Sequence, residues 1–294
     1  MADVRTQLVI DLQVCGRRLR YRQVRVTTPD GVSVSVQDHA IDARRQDRRD
    51  VLFIHGYCQS SLSWLNQVTG PLRQRHRLVT YDMRSHGGSA KPQSRHYYCS
   101  SERWADEVAA VISSLDLKRP VIVCWSYAGR VALDYLTRYG DGAVSGLVMV
   151  AATSTLNDSV FGPARATLKQ MATSEGAAYV VAARALLNEC TFAQLPADET
   201  ALMLSYNLLA PIEARSAMSS RSAAYDDTLQ GLHIPVLAVH GEEDRINTIA
   251  MSRHTLALCK NAHLSLYPRT GHLPFWEQAE RFDAELGAFL DALG

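Results

Sequence analysis

Long apolar runs are missing from this sequence of 294 residues: no stretch approaches the roughly 20 apolar residues that cross a bilayer, so no membrane span is expected. The segment from Leu8 to Val14 is interrupted by Asp11 and Gln13, and no small-residue cleavage site follows, which argues against a secretory signal. Asp3 and Asp11 argue against an Arg-rich presequence. An excess of one charge is missing as well. Thirty-one Lys and Arg face 30 Asp and Glu, a net +1, so no global field draws in nucleic acid or an anionic membrane. The basic runs Arg17 to Arg25 and Arg44 to Arg49 are read as exposed turns. The six cysteines (Cys15, Cys58, Cys99, Cys124, Cys190, Cys259) form no C-x-x-C pair and show no metal-ligand spacing. Isolated thiols in a reducing, cytoplasmic setting are expected. Neither G-x-G-x-x-G nor G-x-x-x-x-G-K-[ST] occurs, so no nucleotide cofactor is supported.

What is present is a sequence of 47% hydrophobic and 21% charged residues, enough for one large core with an inserted subdomain. After the turn at Pro29-Asp30-Gly31, Val32, Val34 and Val36 alternate with polar residues, which predicts a half-buried antiparallel strand. Val51–Ile54, Leu78–Tyr81, Val121–Cys124, Leu147–Val150, Val236–Val239 and Leu264–Tyr267 are short, mostly continuous apolar runs. They suit strands of a parallel sheet covered on both faces. Between them, Trp104, Val108, Val111, Ile112 and Leu115 recur at helical steps behind Ser100 or Ser101 as N-cap. Val131, Leu133, Tyr135 and Leu136 form another helix, stopped at Gly140. A last helix carries Phe275, Phe282, Leu286, Phe289 and Leu290 and opens on Pro274. This alternation predicts a doubly wound, mostly parallel α/β sheet, with its site at the carboxyl ends of the strands. The rhythm breaks over residues 154–230, rich in Ala, Leu and Met, which are expected to form a helical cap of three or four helices. The core is then 26–153 with 231–294, and residues 1–25 are an extension that could add an edge strand or contact a partner.

The chemistry-bearing residues follow predicted strands. Ser126 stands between Val121–Cys124 and a helix, where a strained turn would lift its hydroxyl above the sheet. Such a turn needs small residues two positions to either side, and Cys124 and Ala128 meet that need without being glycine. A plain helix N-cap serine is the alternative. Asp244 follows the next-to-last parallel strand and His272 the last, giving the order Ser126, Asp244, His272. A serine hydroxyl needs an imidazole to take its proton, and the imidazole needs a carboxylate to fix its tautomer. Glu242, Glu243 and Asp158 compete for the acid role. The backbone N–H groups of Tyr57, after His55-Gly56, and of Tyr127 are candidates for an oxyanion hole worth about 3–4 kcal/mol per donor. The His55 side chain is read as structural. Asp82 and His86 lie four apart on a loop with no third ligand nearby, so no metal site is expected.

Taken together, His55-Gly56 with Trp64-x-x-Gln67, Tyr81-Asp82-x-Arg84-x-His86-Gly87-x-Ser89, the Ser126 turn, Gly241-x-x-Asp244 and Gly271-His272 resemble the α/β-hydrolase superfamily. The similar subgroup is that of esterases and cofactor-free haloperoxidase or perhydrolase-like enzymes. The resemblance implies a cofactor-free serine hydrolase that cleaves a small to medium apolar ester or lactone through an acyl-enzyme. A serine at position 126 departs from the aspartate of haloalkane dehalogenases and epoxide hydrolases. Acyl transfer, perhydrolysis, C–C hydrolysis or a lyase or cyclase step on the same triad remain open, as does a non-catalytic binding protein on this scaffold. The substrate pocket is expected to draw on Trp125, Phe161, Tyr206 and Leu273, with Leu156, Met171, Tyr179, Phe192 and Met218 as further cap candidates. Arg165, Lys169, Arg184 and Arg215 are expected in solvent-like surroundings, and a neutral substrate follows. Arg221 is the one cap residue placed to anchor an anionic group.

Overall fold

Nine strands pair into one sheet, in the order β1-β2-β3-β5-β4-β6-β7-β8-β9. The computed structural model describes residues 5–40, 48–222 and 224–293. From β4 (Asp50–Ile54) through β5 (Arg77–Asp82), β6 (Val121–Trp125), β7 (Gly146–Val150), β8 (Val236–Gly241) and β9 (Ala262–Tyr267) every pairing is parallel. Strands β4, β6 and β7 are buried at every residue, which is why their sequences read as unbroken apolar runs. The fold is a mostly parallel α/β sheet flanked by helices.

The antiparallel end holds two departures from the sequence reading. β1 (Arg5–Val14) and β2 (Arg17–Thr27) form a hairpin that extends the sheet beyond β3 (Ser33–Asp38). The run Arg17 to Arg25 is therefore strand rather than turn. Its arginines reach outward to Asp11 (2.7 Å from Arg18), Glu199 (3.1 Å from Arg17) and the Gly88 carbonyl. Of the second basic run, residues 44–47 lie outside the described residues. β3 is not half-buried: five of its six residues are buried, because β2 and β5 pair with it on either side and its polar face is covered too. Ser35 there accepts from Gln23 at 3.0 Å, and its N–H donates to Ser89 at 2.8 Å.

Helices of eight or more residues are α1 (Ser101–Ser114), α2 (Ala128–Tyr139), α3 (Arg165–Thr173), α4 (Gly176–Glu189), α5 (Ala197–Asn207), α6 (Ile212–Ser219), α7 (Ile249–Leu258) and α8 (Ala279–Ala292). Ser100 is the N-cap residue of α1 but makes no side-chain capping bond. α2 stops at Gly140, whose φ of 72° is open to glycine at little cost. The expected last helix is two: Pro274–Glu277 ends at Gln278, and α8 starts beyond it. The break leaves the Glu277 carboxylate free to accept the N–H groups of Gly271 (2.8 Å) and Phe192 (2.7 Å). Helices α3 to α6 fall between β7 and β8 and reach the carboxyl ends of the strands. Tyr57 Oη donates to the Arg215 carbonyl at 2.8 Å, and the Cys190 carbonyl accepts the His272 N–H at 2.7 Å. All six cysteines are free thiols, and no described helix is long and apolar enough to cross a membrane.

Candidate active site

At the end of β6 the backbone of Ser126 turns into the left-handed region, with φ of 55°. A side chain there costs about 1–3 kcal/mol, and the surroundings must hold it. They do so through three backbone bonds: Ser126 N–H to Val150 O (3.0 Å), and Gly129 N–H (3.0 Å) and Thr153 N–H (2.9 Å) to Ser126 O. Cys124 and Ala128, two positions to either side, are both fully buried. Small size is what the turn requires of them, and glycine is not needed. Glycine is needed at 129, where a Cβ would lie 2.7 Å from the Thr153 carbonyl.

Asp244 and His272 come together from the loops after β8 and β9. His272 Nδ1 lies 2.7 Å from Asp244 Oδ2, and both side chains are buried. The other carboxylate oxygen accepts the N–H groups of Ile246 (2.8 Å) and Asn247 (3.0 Å). With Nδ1 donating to the carboxylate, the tautomer leaves Nε2 as the basic nitrogen, and it has no partner among the described residues. The two loops approach so closely that a Cβ on Gly241 would fall 2.0 Å from the Gly271 carbonyl. Glu242 and Glu243 point to solvent, and Asp158 is an exposed partner of Arg165. None of the three competes with Asp244 for His272.

Two residues that the sequence reading passed over, or left unpaired, hold this constellation. His240 contacts Ser252 Oγ (2.7 Å) through Nδ1 and the Asn247 carbonyl (2.9 Å) through Nε2, and stands 3.4 Å from Asp244. Burial lowers its pKa, so it is a neutral brace for the acid loop. Asn247 then ties that loop to the end of β7, donating to the Ala151 carbonyl at 2.7 Å. The only signal in the sequence is their nearness to Asp244.

The N–H groups of Tyr57 and Tyr127 have no hydrogen-bond partner among the described residues, and both tyrosines line one cavity with Ser126 and His272. The Tyr57 loop is pinned by two histidines. His55 Nε2 accepts the Met83 N–H (3.0 Å) while Nδ1 donates to the Gly56 carbonyl (2.8 Å). His86 Nε2 accepts the Cys58 N–H (3.2 Å) while Nδ1 donates to the Arg84 carbonyl (2.9 Å). Burial pushes His55 down to about 4 and His86 down to about 3, so both are neutral and structural. Asp82 is occupied by the N–H groups of Ser61 (2.7 Å) and Gly88 (2.9 Å), so this loop spends its Asp and His on backbone bonds.

The cavity measures about 140 Å³, with Leu156, Phe161, Leu168, Leu186 and Ile246 as its apolar wall. Of the expected pocket residues, Trp125 and Phe161 line it. Trp125 also donates from its indole to the His272 carbonyl at 2.9 Å. Tyr206 and Leu273 do not line it. Both are buried in the hydrophobic core, away from the cavity wall. Met171, Tyr179 and Met218 are likewise buried in the core, and Phe192 is exposed. Cys190 lines the cavity, but burial raises its thiol pKa and keeps it from acting as a nucleophile.

The cap's charges are also arranged otherwise than expected. Arg221 does not reach the cavity: it is buried on Asp134 and accepted by Tyr127 Oη at 3.0 Å. Arg215 is not solvated either, and it donates to the Ala210 carbonyl at 3.0 Å and the Ser174 carbonyl at 2.9 Å. Arg165 and Lys169 are partly and fully exposed, as expected, and they also line the cavity. The docking of the cap decided this, and residue type carries no trace of it.

A family model described as "Alpha/beta hydrolase family" matches residues 51–285. The chain belongs to the alpha/beta hydrolase family. Within it, the chain is 25% identical over 280 residues to a non-heme haloperoxidase of Rhodococcus erythropolis, covering 91% of this chain and 99% of the relative. A bifunctional esterase/perhydrolase of Acinetobacter calcoaceticus is 26% identical over 288 residues, covering 90% of this chain and 98% of the relative. The solved esterase RhEst1 from Rhodococcus sp. ECU1013 superposes with a TM-score of 0.83 at 29% identity, covering 92% of this chain and 99% of that one. Members of this alpha/beta hydrolase family thus include esterases and haloperoxidase or perhydrolase relatives.

Proposed function

We propose that this alpha/beta hydrolase cleaves small to medium esters or lactones with an apolar body through an acyl-enzyme on Ser126. The observation that carries the reading is a shared cavity. Ser126, His272, Tyr57 and Tyr127 all line it, and the N–H groups of the two tyrosines have no partner among the described residues. Ser126 Oγ attacks the ester carbonyl carbon while His272 Nε2 takes its proton. Asp244, already bonded to Nδ1, stabilises the imidazolium. The carbonyl oxygen gains its negative charge between the N–H groups of Tyr57 and Tyr127. His272 returns the proton to the leaving alcohol, and water repeats the sequence to release the acid. The apolar wall and the small cavity support an apolar substrate body.

A fluorophosphonate probe tests the nucleophile. It should label the native protein and leave Ser126→Ala unlabelled, and the variant should lose about 10³-fold or more in kcat. Labelling of Ser126→Ala, or turnover close to native, would sink the assignment. The names of the relatives favour a second reading, delivery of the acyl group to hydrogen peroxide in place of water. Peracid formation from a carboxylic acid and peroxide would register it directly. A binding protein without turnover would neither label nor cleave.

A further inference from the structure

The wall of the cavity carries positive charge that nothing in it balances. Arg130, Arg165 and Lys169 line it, and no Asp or Glu stands among its described lining residues. Arg130 is 3% exposed, and among the described residues its guanidinium donates only to the carbonyls of Met218, Arg221 and Ser222, at 3.4, 2.6 and 2.9 Å. Its Nε has no hydrogen-bond partner among the described residues. The neighbouring carboxylate, Asp134, is already engaged by Arg221 and by Tyr225 at 2.7 Å. This buried network thus holds two guanidinium groups and one carboxylate. A buried charge is costly without a counterion, and a ligand anion would supply one.

On α3, Arg165 and Lys169 are four residues apart and so share one face of the helix, with Leu168 beside them on the cavity wall. Like charges at this spacing destabilise a helix, a local conflict of the kind that marks functional sites. The Lys169 ammonium has no hydrogen bond or ion pair among the described residues. Arg165 stacks on Phe161, 4.3 Å from the ring centroid, and pairs with Asp158, whose side chain is 84% exposed and outside the cavity. So exposed a pair is weakly held, which leaves Arg165 available to a second carboxylate.

We propose that the preferred substrates are esters whose apolar body ends in a carboxylate, which Lys169, Arg165 and Arg130 hold while Ser126 attacks the ester carbonyl. The inference rests on the hydrolase reading of the same site and replaces the neutral-substrate expectation. Hydrolysis of such an ester consumes one water and yields an alcohol and an acid, one of which keeps the second carboxylate.

Two matched pairs of esters test it, one charged on the acyl side and one on the alcohol side. The first is mono-4-nitrophenyl adipate against its methyl-capped twin, and the second is 4-(hexanoyloxy)benzoate against its methyl ester. In at least one pair the anionic member should show a kcat/KM about tenfold higher, mostly through KM, and the advantage should shrink as salt is raised. In the doubly substituted Arg165→Ala/Lys169→Ala protein the ratio should fall towards one, and Lys169→Glu should invert it. Both positions are partly or wholly exposed, so folding is not at risk. Equal or faster turnover of the capped member in both pairs would overturn the proposal, as would a preference unchanged in the double variant. If no ester were cleaved and the fluorophosphonate failed to label Ser126, the hydrolase reading itself would fall and this inference with it.

Discussion

The backbone carbonyl of Cys190, at the end of a cap helix, accepts the backbone N–H of His272 at 2.7 Å. The loop that bears the basic nitrogen is therefore held from both sides, by the cap above and by the Trp125 indole, 2.9 Å from the His272 carbonyl, below. Glu277 adds a second tie, bonding Gly271 on one oxygen and Phe192 of the cap on the other. Cap and core act on the same few residues.

The Asp244–His272 contact sets the first prediction. Asp244→Asn keeps the shape of the side chain but supports the wrong imidazole tautomer, and kcat should drop about 10³- to 10⁴-fold. Glu242→Gln, on the same loop and solvent-facing, should stay within about twofold of native. Steady-state rates on one ester for both variants decide it, and a full rate from Asp244→Asn would place the acid elsewhere.

A second prediction follows from the left-handed backbone at Ser126, φ 55°. Both Ser126→Gly and Ser126→Ala should be inactive, but glycine adopts this conformation freely and alanine does not. Ser126→Gly should be the more stable of the two by about 1 kcal/mol. Urea midpoints at unchanged m-value measure the difference, and equal midpoints would show that the turn stores no strain.

Acid sensitivity comes from histidines buried neutral. Burial pushes His39 down to about 3, His55 to about 4 and His86 to about 3. Each would protonate near its ordinary pKa of about 6.5 once unfolded, so the unfolded chain binds more protons below that pH. Their stabilising contribution is present above about pH 6.5 and is lost as pH falls from there to the folded values of about 3 to 4. Asp283, raised by burial to about 6, has the opposite sign and favours the folded state at low pH. Asp50, Glu107, Asp134 and Glu277 are raised by burial too, while His76 and His240 are lowered. The histidines therefore set the sign only near their unfolded pKa, and unfolding free energy should decline as pH falls from about 7 to about 6. A flat profile from denaturant titrations across that window would contradict neutral burial of these rings.

Arg84 and Glu107 form a fully buried pair at 2.7 Å, and Arg84 reaches Asp30 at 2.9 Å as well. Removing one partner strands the other. Arg84→Met should cost about 3–5 kcal/mol, and adding Glu107→Leu to it should restore much of the loss. A double variant as unstable as the sum of the two singles would mean that the pair is not coupled.

The chain order of strands β4 to β9, the serine at a strand–helix junction and the loops bearing Asp244 and His272 were legible in the residues alone. Each is a local signal: an unbroken apolar run buried on both faces, followed directly by the polar residues that its carboxyl end presents. What the sequence did not carry depends on which side of an element faces what. The alternation in β3 promised one wet face, but pairing with β2 and β5 and cover from the Ser89 loop buried both. Tyr206 and Leu273 have the size and polarity of pocket residues, yet packing turned them into the interior, while Leu168, Arg165 and Lys169 took the wall. Arg221 and Arg165 are the same residue type in the same cap. Arg221, just beyond the end of α6, ended buried on Asp134, and Arg165 on the cavity, because only the docking of the cap onto the strand ends sets which of its residues look inward.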